Sequence, residues 1–594
     1  MIQKNYNLNR LWGSLIIEEL VRNGIDYFCI SPGSRSTPLV AAAARNMKTK
    51  KIVCFDERGS AFHALGYSQA KGKPAAIITT SGTAVANLFP AIVEAYQNKI
   101  PMIVLTADRP PELLDTGANQ TINQINIFGM YAKWHFCFPC PDENINPRMV
   151  LTAIDYAVYS SLCNPSGPVH LNCMFREPFE PDDAVDINNE NVYMKDIKKW
   201  SGHNKPYTLY SIPKTTVSTT DTLKNVAEII DREEKGLISV GRLKSSSEGK
   251  SILDFIKKTN WPVYADITSG LRLNSKIGSN IIKHFDQEVL SEGFNKMAAP
   301  KTVIHFGDRI TSKRFDQFLN YNKPENYIII KDNPVRHDPV HLVTMHIETD
   351  ICSFCDDISG FVRMAKENSF KDFYESKVRK VQKIIDMNIE SEKDINEVFV
   401  SRNISSLIPD KSCLFLSNSM PVRDMELYGQ STGKEIFIGT NRGVSGIDGI
   451  ISTAIGFSSG YGKICTLLTG DIAFLHDLNA LATINSIKTS LIIVLINNNG
   501  GGIFDFLPIS KSRDIFEDYF ATPHNLNFKG IAETFKINYH TTHDCKTFPQ
   551  IYTNAVGMAE KKNRSSLIEV VTGREYNLEL RRRIKMEILN MLEE

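Results

Sequence analysis

The chain has 594 residues, 42% of them hydrophobic and 23% charged, which is a globular balance with length for three or four domains and excludes a disordered or fibrous chain. With 68 Lys and Arg against 67 Asp and Glu, the net charge of +1 gives no general field for a nucleic-acid backbone or an anionic membrane. Eleven scattered cysteines, an odd number, indicate reduced thiols in a cytoplasmic setting rather than a disulfide frame. The N-terminus lacks a secretory pattern, and no apolar run of about 18 residues predicts membrane insertion. Two C-x-x-C pairs, Cys137/Cys140 and Cys352/Cys355, are far apart and outside any compact ribbon, so chance spacing outweighs a structural zinc.

In chain order, residues 11–21 carry a helical apolar period, and Tyr27–Ile30 is a short apolar strand running into SPGSRSTP. Strands are predicted at 52–55, 75–78 and 102–105, and they run into DERGS, TTSGT and TADRPP. Apolar strand, polar turn and helix in repetition predict a parallel doubly wound sheet, with ligands at the carboxyl ends of its strands. Residues 180–220 are polar and read as a linker. A second alternating region follows from Gly236 to about 350, and a Lys/Glu-rich stretch at 361–395 reads as a solvated connecting helix. A third region runs from Cys413 to about 572 and has the same architecture as the first. The tail reads as an amphipathic helix whose Arg581–Arg583 run is expected to be a solvated face. The fold class is α/β, with three doubly wound parallel-sheet domains.

The most informative stretch is TGDIAFLHDLNALATINSIKTSLIIVLINNNGGGIF. One strand delivers Gly470-Asp471 ahead of a helix expected from Ile472. A second strand, Leu491–Ile496, delivers Asn497 to Gly500. If the strands are parallel neighbours, a carboxylate, an amide oxygen and a backbone carbonyl converge. That hard oxygen set suits Mg²⁺, and the helix N-terminus suits a phosphate. The bland alternative is a strand-turn-helix in which Asp471 only caps. No G-x-x-x-x-G-K-[ST] occurs and no G-x-G-x-x-G follows a strand, which argues against an ATPase phosphate loop and a nicotinamide dinucleotide. A phosphate held through a metal by Gly-Asp and Asn-Asn suggests thiamine diphosphate.

Gly-Asp, about two dozen residues and then Asn-Asn resembles the thiamine-diphosphate motif of the decarboxylase and acetohydroxyacid synthase superfamily. Ile472 stands where that superfamily usually has a second glycine, a departure shared by its menaquinone-pathway branch. Further segments are similar to that branch: SPGSRSTPL (31–39), DERGSAFHALG (56–66), TADRPPELLDTGANQTINQ (106–124), SNSMPVRD (417–424), NRGVSGIDG (441–449) and NNNGGGIF (497–504). GDRITSKRF (307–315) is a looser match. The resemblance implies a pyrimidine-binding domain at 1–185, a central domain at 215–355, a diphosphate/Mg-binding domain at 390–575 and a C-terminal helix at 576–594. It makes Asp471, Asn498 and the Gly500 carbonyl the ligands of Mg²⁺, for which Mn²⁺ can substitute, with Gly470, Ile472 and Ser419 also at the cofactor. Glu57 becomes the glutamate that partners the aminopyrimidine ring in proton transfer. Alone it reads as a first-turn glutamate favoured by its helix dipole. Ile447 becomes the apolar wedge under the cofactor, where alone it would be core.

The branch's substrates, 2-oxoglutarate and isochorismate, each carry two carboxylates, which suit guanidinium groups. By resemblance Ser419, Arg423 and Arg442 hold the succinyl part. Ser34, Arg35, Arg109, Gln120, Lys313 and Arg314 hold isochorismate. Ile503, Phe504 and Leu507 form an apolar wall beside the thiazolium, with ordinary helix packing as the alternative. The implied assembly is a homodimer, or a homotetramer of paired dimers, with no nucleic-acid partner. Two other functions stay open at this point. An acetohydroxyacid synthase would use pyruvate and leave several arginines idle, and a non-catalytic relative would be expected to lack Glu57 or Asp471.

Overall fold

A computed structural model of the chain describes residues 7–179, 192–211, 217–364 and 367–593. The part of the polar 180–220 stretch at 180–191 and 212–216 lies outside the described residues. The backbone divides into two compact units. One comprises Met1–Ile212, Asn441–Gly462 and His476–Ser490, and the other Pro213–Thr440, Lys463–Leu475 and Leu491–Glu594. Among the described residues, no helix is long and apolar enough to cross a membrane.

The first unit holds a parallel sheet of six strands: β1 (Tyr27–Ile30), β2 (Lys50–Val53), β3 (Ala75–Thr79), β4 (Met102–Asp108), β5 (His135–Phe138) and β6 (Pro168–Met174), in the order β2-β1-β3-β4-β6-β5. The second unit holds two parallel sheets. One contains β7 (Gly236–Val240), β8 (Val263–Ala265), β9 (Thr302–Phe306), β10 (Asn326–Lys331) and β11 (Met345–Glu348), in the order β11-β10-β9-β7-β8. The other contains β12 (Cys413–Leu416), β13 (Phe437–Thr440), β14 (Cys465–Gly470), β15 (Leu491–Asn497), β16 (Asn538–Thr542) and β17 (Ser566–Val571), in the order β13-β12-β14-β15-β17-β16. Strand for strand, the third sheet repeats the order of the first. Central strands such as β4 and β15 are buried along their whole length. A strand covered on both faces needs an unbroken apolar run, and these are the runs legible in the sequence. The strands the sequence left unnamed include β5, β11 and β16, which lie at sheet edges with mixed polarity, and the wholly buried β6.

Several expectations are corrected. β2 ends at Val53, and Phe55 is exposed beyond it instead of closing the strand. The stretch at 361–395 is not a merely solvated connector: helix Ser369–Glu390 buries Phe370, Tyr374, Val378, Val381, Ile385 and Ile389 in an apolar core. The described part of the polar 180–220 stretch is anchored. Trp200 is buried and its Nε1 donates to Glu19 Oε2 (2.5 Å), while Tyr207 N donates to Glu19 Oε1 (2.5 Å) and Thr208 N to Asp155 Oδ2 (2.6 Å). Burial, and Asp155 beside it, push the Glu19 carboxyl up to about 8. The tail forms helix Arg574–Glu593, but Arg581 is buried and paired to Asp424 and Glu397, and Arg583 pairs with Glu392. Arg582 and Arg583 are exposed and match the solvated reading; Arg581 does not.

In the first unit, helix Glu57–Lys71 packs along helix Ile450–Tyr461 through glycines. A Cβ on Gly66 would lie 2.0 Å from the Thr453 carbonyl oxygen, and one on Gly456 2.0 Å from that of His63. Backbone cannot retreat from such a contact as a flexible side chain can. Gly66→Ala gains about 1 kcal/mol of helix propensity but should lose more to overpacking, about 1–3 kcal/mol or above. Gly557 lies inside helix Thr547–Lys562 with nothing within 4 Å of its added Cβ, so Gly557→Ala gains the propensity without the clash. Urea unfolding should show opposite signs, Gly66→Ala lowering the midpoint and Gly557→Ala raising it.

Candidate active site

The third sheet places the two polar tips side by side. β14 and β15 are parallel neighbours with Gly470 in register with Ile496, so Asp471 and the Asn497–Gly500 turn leave the sheet at the same edge. The helix begins at Asp471 itself, one residue before the expected start, and spans Asp471–His476. Asp471 is 2% exposed. Its Oδ1 accepts from Ile472 N (2.7 Å), and its Oδ2 accepts from Gly500 N (2.9 Å) and lies 3.1 Å from His524 Nε2. Burial nevertheless leaves its pKa above the ordinary carboxylate value, so these contacts compensate the lost hydration only in part. Asn498 Nδ2 donates to Glu397 Oε1 (2.8 Å), while Asn498 Oδ1 is buried and has no hydrogen-bond partner among the described residues.

The turn itself is tightly specified. Gly500 has φ +137, and a Cβ there would lie 2.1 Å from the Ala521 carbonyl oxygen. Asn499, at φ 61, ties the turn to residues 524–525: its Oδ1 accepts from His524 N (3.0 Å) and Asn525 N (2.7 Å). A Cβ added to Gly470 would meet nothing within 4 Å, so this strand end opens onto free space. An under-compensated buried carboxylate, an orphaned amide oxygen and an open glycine edge fit a hard divalent cation and the diphosphate it would carry. Residues Asp471, Asn498 and Gly500 would hold the cation. Sequence reasoning missed His524 and Glu397, because nothing local marks a lone His or a first-turn Glu as a neighbour of residues 53 and 101 positions away.

In the first unit, Glu57 opens helix Glu57–Lys71. The capping role is filled by Asp56, whose side chain accepts from Arg58 N (2.9 Å) and Gly59 N (3.4 Å). The Glu57 carboxylate has no hydrogen-bond partner among the described residues and is half-buried. Ile447 is also half-buried, in the loop ahead of helix Ile450–Tyr461, and not in a core as a lone isoleucine would suggest. Glu94, which the sequence did not single out, holds that loop. It is buried and accepts from Gly443 N (2.7 Å) and Val444 N (2.8 Å), next to Arg442.

The cationic residues fall into two groups. In the first unit, Arg35 follows β1 in the turn Ser34–Ser36, and its Nη1 donates to the Phe175 carbonyl (2.9 Å). Arg109 follows β4; it donates to Ser81 Oγ and, through Nη2, to the Asn119 carbonyl (2.8 Å). Gln120 Nε2 donates to the Ser81 carbonyl (3.2 Å). Burial, with Arg109 nearby, lowers the pKa of Arg35. In the second unit, Lys313 and Arg314 begin helix Lys313–Asn322 and do not lie in a turn. Arg314 donates to the Asp286 carbonyl oxygen. Arg423, on helix Met420–Tyr428, donates to the Ser419 carbonyl; burial lowers its pKa, with Asp424 and Asp286 opposing. Ser419 itself has φ 72, a strained value for a residue with a side chain. Ile503 and Phe504 are half-buried and Leu507 is exposed, in or just after the short 3₁₀ segment Gly502–Phe506. None of the three is core packing.

Family descriptions match along the chain: "Thiamine pyrophosphate enzyme, N-terminal TPP binding domain" over residues 12–127, "Middle domain of thiamine pyrophosphate" over 191–416, and "Thiamine pyrophosphate enzyme, C-terminal TPP binding domain" over 428–570. Fold and strand-end chemistry thus define a thiamine-diphosphate-dependent enzyme. Curated proteins similar to this chain narrow the class. Relatives from Prosthecochloris aestuarii (41% identity, 99% of this chain and 98% of the relative), Rubrobacter xylanophilus (41%, 97% and 98%) and Pelodictyon phaeoclathratiforme (42%, 98% and 96%) share one name. The chain belongs to their family, the 2-succinyl-5-enolpyruvyl-6-hydroxy-3-cyclohexene-1-carboxylate synthases.

Binding of cofactor and cation to the folded state alone should stabilise it by about 2.7 kcal/mol at a hundredfold excess over Kd. Thermal denaturation should show a rise in Tm with Mg²⁺ and thiamine diphosphate together in the wild type. Asp471→Ala should lose the Mg²⁺-dependent part of that rise, and an undiminished rise would remove Asp471 from the cation site.

Proposed function

We propose that this protein decarboxylates 2-oxoglutarate and adds the succinyl unit to isochorismate by 1,4-addition. The products are 2-succinyl-5-enolpyruvyl-6-hydroxy-3-cyclohexene-1-carboxylate and CO₂, on the route to menaquinone. The observation that carries the reading is the pairing of Asp471 with the Asn498–Gly500 turn in a chain similar to synthases over nearly its full length. When bound, thiamine diphosphate supplies the nucleophilic carbon and the electron sink that the decarboxylation requires. No side chain then needs to attack either substrate.

The chain's residues bind, orient and move protons. Asp471, Asn498 and the Gly500 carbonyl hold Mg²⁺, or Mn²⁺ in its place, and the cation with Gly470 and Ile472 anchors the diphosphate. Ser419 and Ile447 bear on the cofactor, and Ile503, Phe504 and Leu507 line its apolar side. The Glu57 carboxylate, relieved of capping by Asp56, is free to share a proton with the aminopyrimidine ring. Arg423 is desolvated, so a carboxylate meeting it gains a charge-assisted bond in place of hydration. With Ser419 and Arg442 it takes 2-oxoglutarate. Ser34, Arg35, Arg109, Gln120, Lys313 and Arg314 take isochorismate.

The working domains are 1–185 for the pyrimidine end, 215–355 as the central domain, 390–575 for the diphosphate end and a C-terminal helix over 576–594. The active form is a homodimer that can pair into a homotetramer. Free thiols throughout suit a reducing, cytoplasmic setting.

Isochorismate should be consumed only when 2-oxoglutarate, Mg²⁺ and thiamine diphosphate are all present, with one CO₂ released per turnover. Turnover with pyruvate in place of 2-oxoglutarate would overturn the substrate assignment. A second expectation concerns Glu57→Gln. Cofactor binding should persist, because its anchor lies elsewhere. Exchange of the cofactor's thiazolium C2 proton with deuterated solvent and product formation should fall together, by about 10²–10⁴-fold. Exchange at the wild-type rate would return Glu57 to a purely helical role.

A further inference from the structure

Asn498 poses an orientation problem that its own loop does not solve. An amide presents an acceptor at one end and a donor at the other, and only the oxygen can serve a cation. Which end points where is set by the partner of the opposite end. Here Nδ2 donates to Glu397 Oε1 (2.8 Å), which leaves Oδ1 buried and without a partner among the described residues. Space at the Nδ2 end is guaranteed by Gly502, where a Cβ would sit 2.7 Å from that nitrogen.

Glu397 lies in the first turn of helix Glu397–Leu407 and is 5% exposed. Its second oxygen, Oε2, accepts from Arg581 Nη2 (2.7 Å). Arg581 is 7% exposed on the C-terminal helix and is itself clamped by Asp424, with Nη2 donating to Oδ2 (2.8 Å) and Nη1 to Oδ1. Asn577, one turn earlier on the same helix, accepts from the Glu397 backbone N through Oδ1 (2.9 Å). A continuous hydrogen-bonded chain therefore runs from the buried Asp424, Arg581 and Glu397 to the half-buried Asn498.

We propose that Arg581 and Glu397 are positioning residues for the cation site: Arg581 fixes the Glu397 carboxylate, and Glu397 fixes the Asn498 amide with its oxygen presented to the metal. The inference rests on the reading of Asn498 as a ligand. Only a carboxylate can occupy position 397 in this role, because it accepts at both oxygens. A glutamine would face Arg581 or Asn498 with an N–H against an N–H, and relief would come by rotating the Asn498 amide. Outer partners of metal ligands typically contribute 10–100-fold in metal affinity.

The test is Mn²⁺ binding to the full-length protein with thiamine diphosphate present, followed by loss of the free-ion EPR signal. Glu397→Gln should weaken binding by about 10–100-fold. Adding Asn498→Asp should restore it. The introduced glutamine can then accept from Arg581 and donate to the introduced carboxylate, whose other oxygen is left for the cation at unchanged net charge. Should the single Glu397→Gln variant not fold, the same comparison runs from Asn498→Asp, which sets two carboxylates face to face and should bind Mn²⁺ less well than the double variant. A role of Glu397 confined to helix packing predicts no such rescue. Wild-type affinity in Glu397→Gln, or no recovery in the double variant, overturns the inference. Asn498→Ala separates the two readings: if it binds Mn²⁺ like the wild type, the ligand assignment itself falls. If it loses Mn²⁺ while Glu397→Gln does not, only the positioning role falls.

Discussion

The site depends on a carboxylate held where water cannot reach it. Asp471 sits at the end of a buried strand, and transfer of a charge into such a place is costly unless partners replace its hydration. Two backbone N–H groups and His524 supply part of that replacement, and the raised pKa shows that the rest is missing. A divalent cation would remove the deficit. The same parallel register that buries Asp471 brings up the Asn497–Gly500 turn, so the under-compensated carboxylate and the amide and carbonyl groups beside it arise from one pairing of strands.

Buried carboxylates are also the means by which other loops are fixed. Glu94 accepts from two successive N–H groups of the 441–449 loop, and Asp477 accepts from Ser452 N (2.7 Å) at the start of the next helix. Asp266 accepts from Thr268 N (2.8 Å) and Thr311 N (2.5 Å), and Asp286 accepts from Ser312 beside Lys313 and Arg314. Glu94, Asp477 and Asp266 are buried and Asp286 is half-buried, and desolvation raises the pKa of Asp477, Asp266 and Asp286. A carboxylate has several acceptor sites, so one side chain can satisfy two or three N–H groups that an irregular loop would otherwise leave unpaired. Removing Glu94 or Asp266 would strand two backbone donors at once.

The first and third sheets share one strand order, yet their strand ends carry different chemistry. The third ends in an acidic and amide set suited to a cation. The first ends in arginines, a glutamine and an uncapped glutamate. Repetition of a scaffold therefore brought no repetition of function, because the polar residues stand on the turns after the strands, where packing imposes little.

The sequence by itself determined the α/β class and most of the central buried strands, because strands covered on both faces favour unbroken apolar runs and their polar ends stand out against them; β6, wholly buried but interrupted by His170 and Asn172, escaped that pattern. The family segments added Glu57 and the arginines. Edge strands β5, β11 and β16 were not legible, since a half-covered strand has no unique pattern. Tertiary structure alone decided the fate of Arg581, which reads as one of three solvated cations and is instead buried between Asp424 and Glu397. It also decided the partners of Asp471 and Asn498. A local window cannot tell a charge that faces water from one that meets its counterion across 157 residues of chain, because the pairing is set by how helices pack and not by the residues beside it.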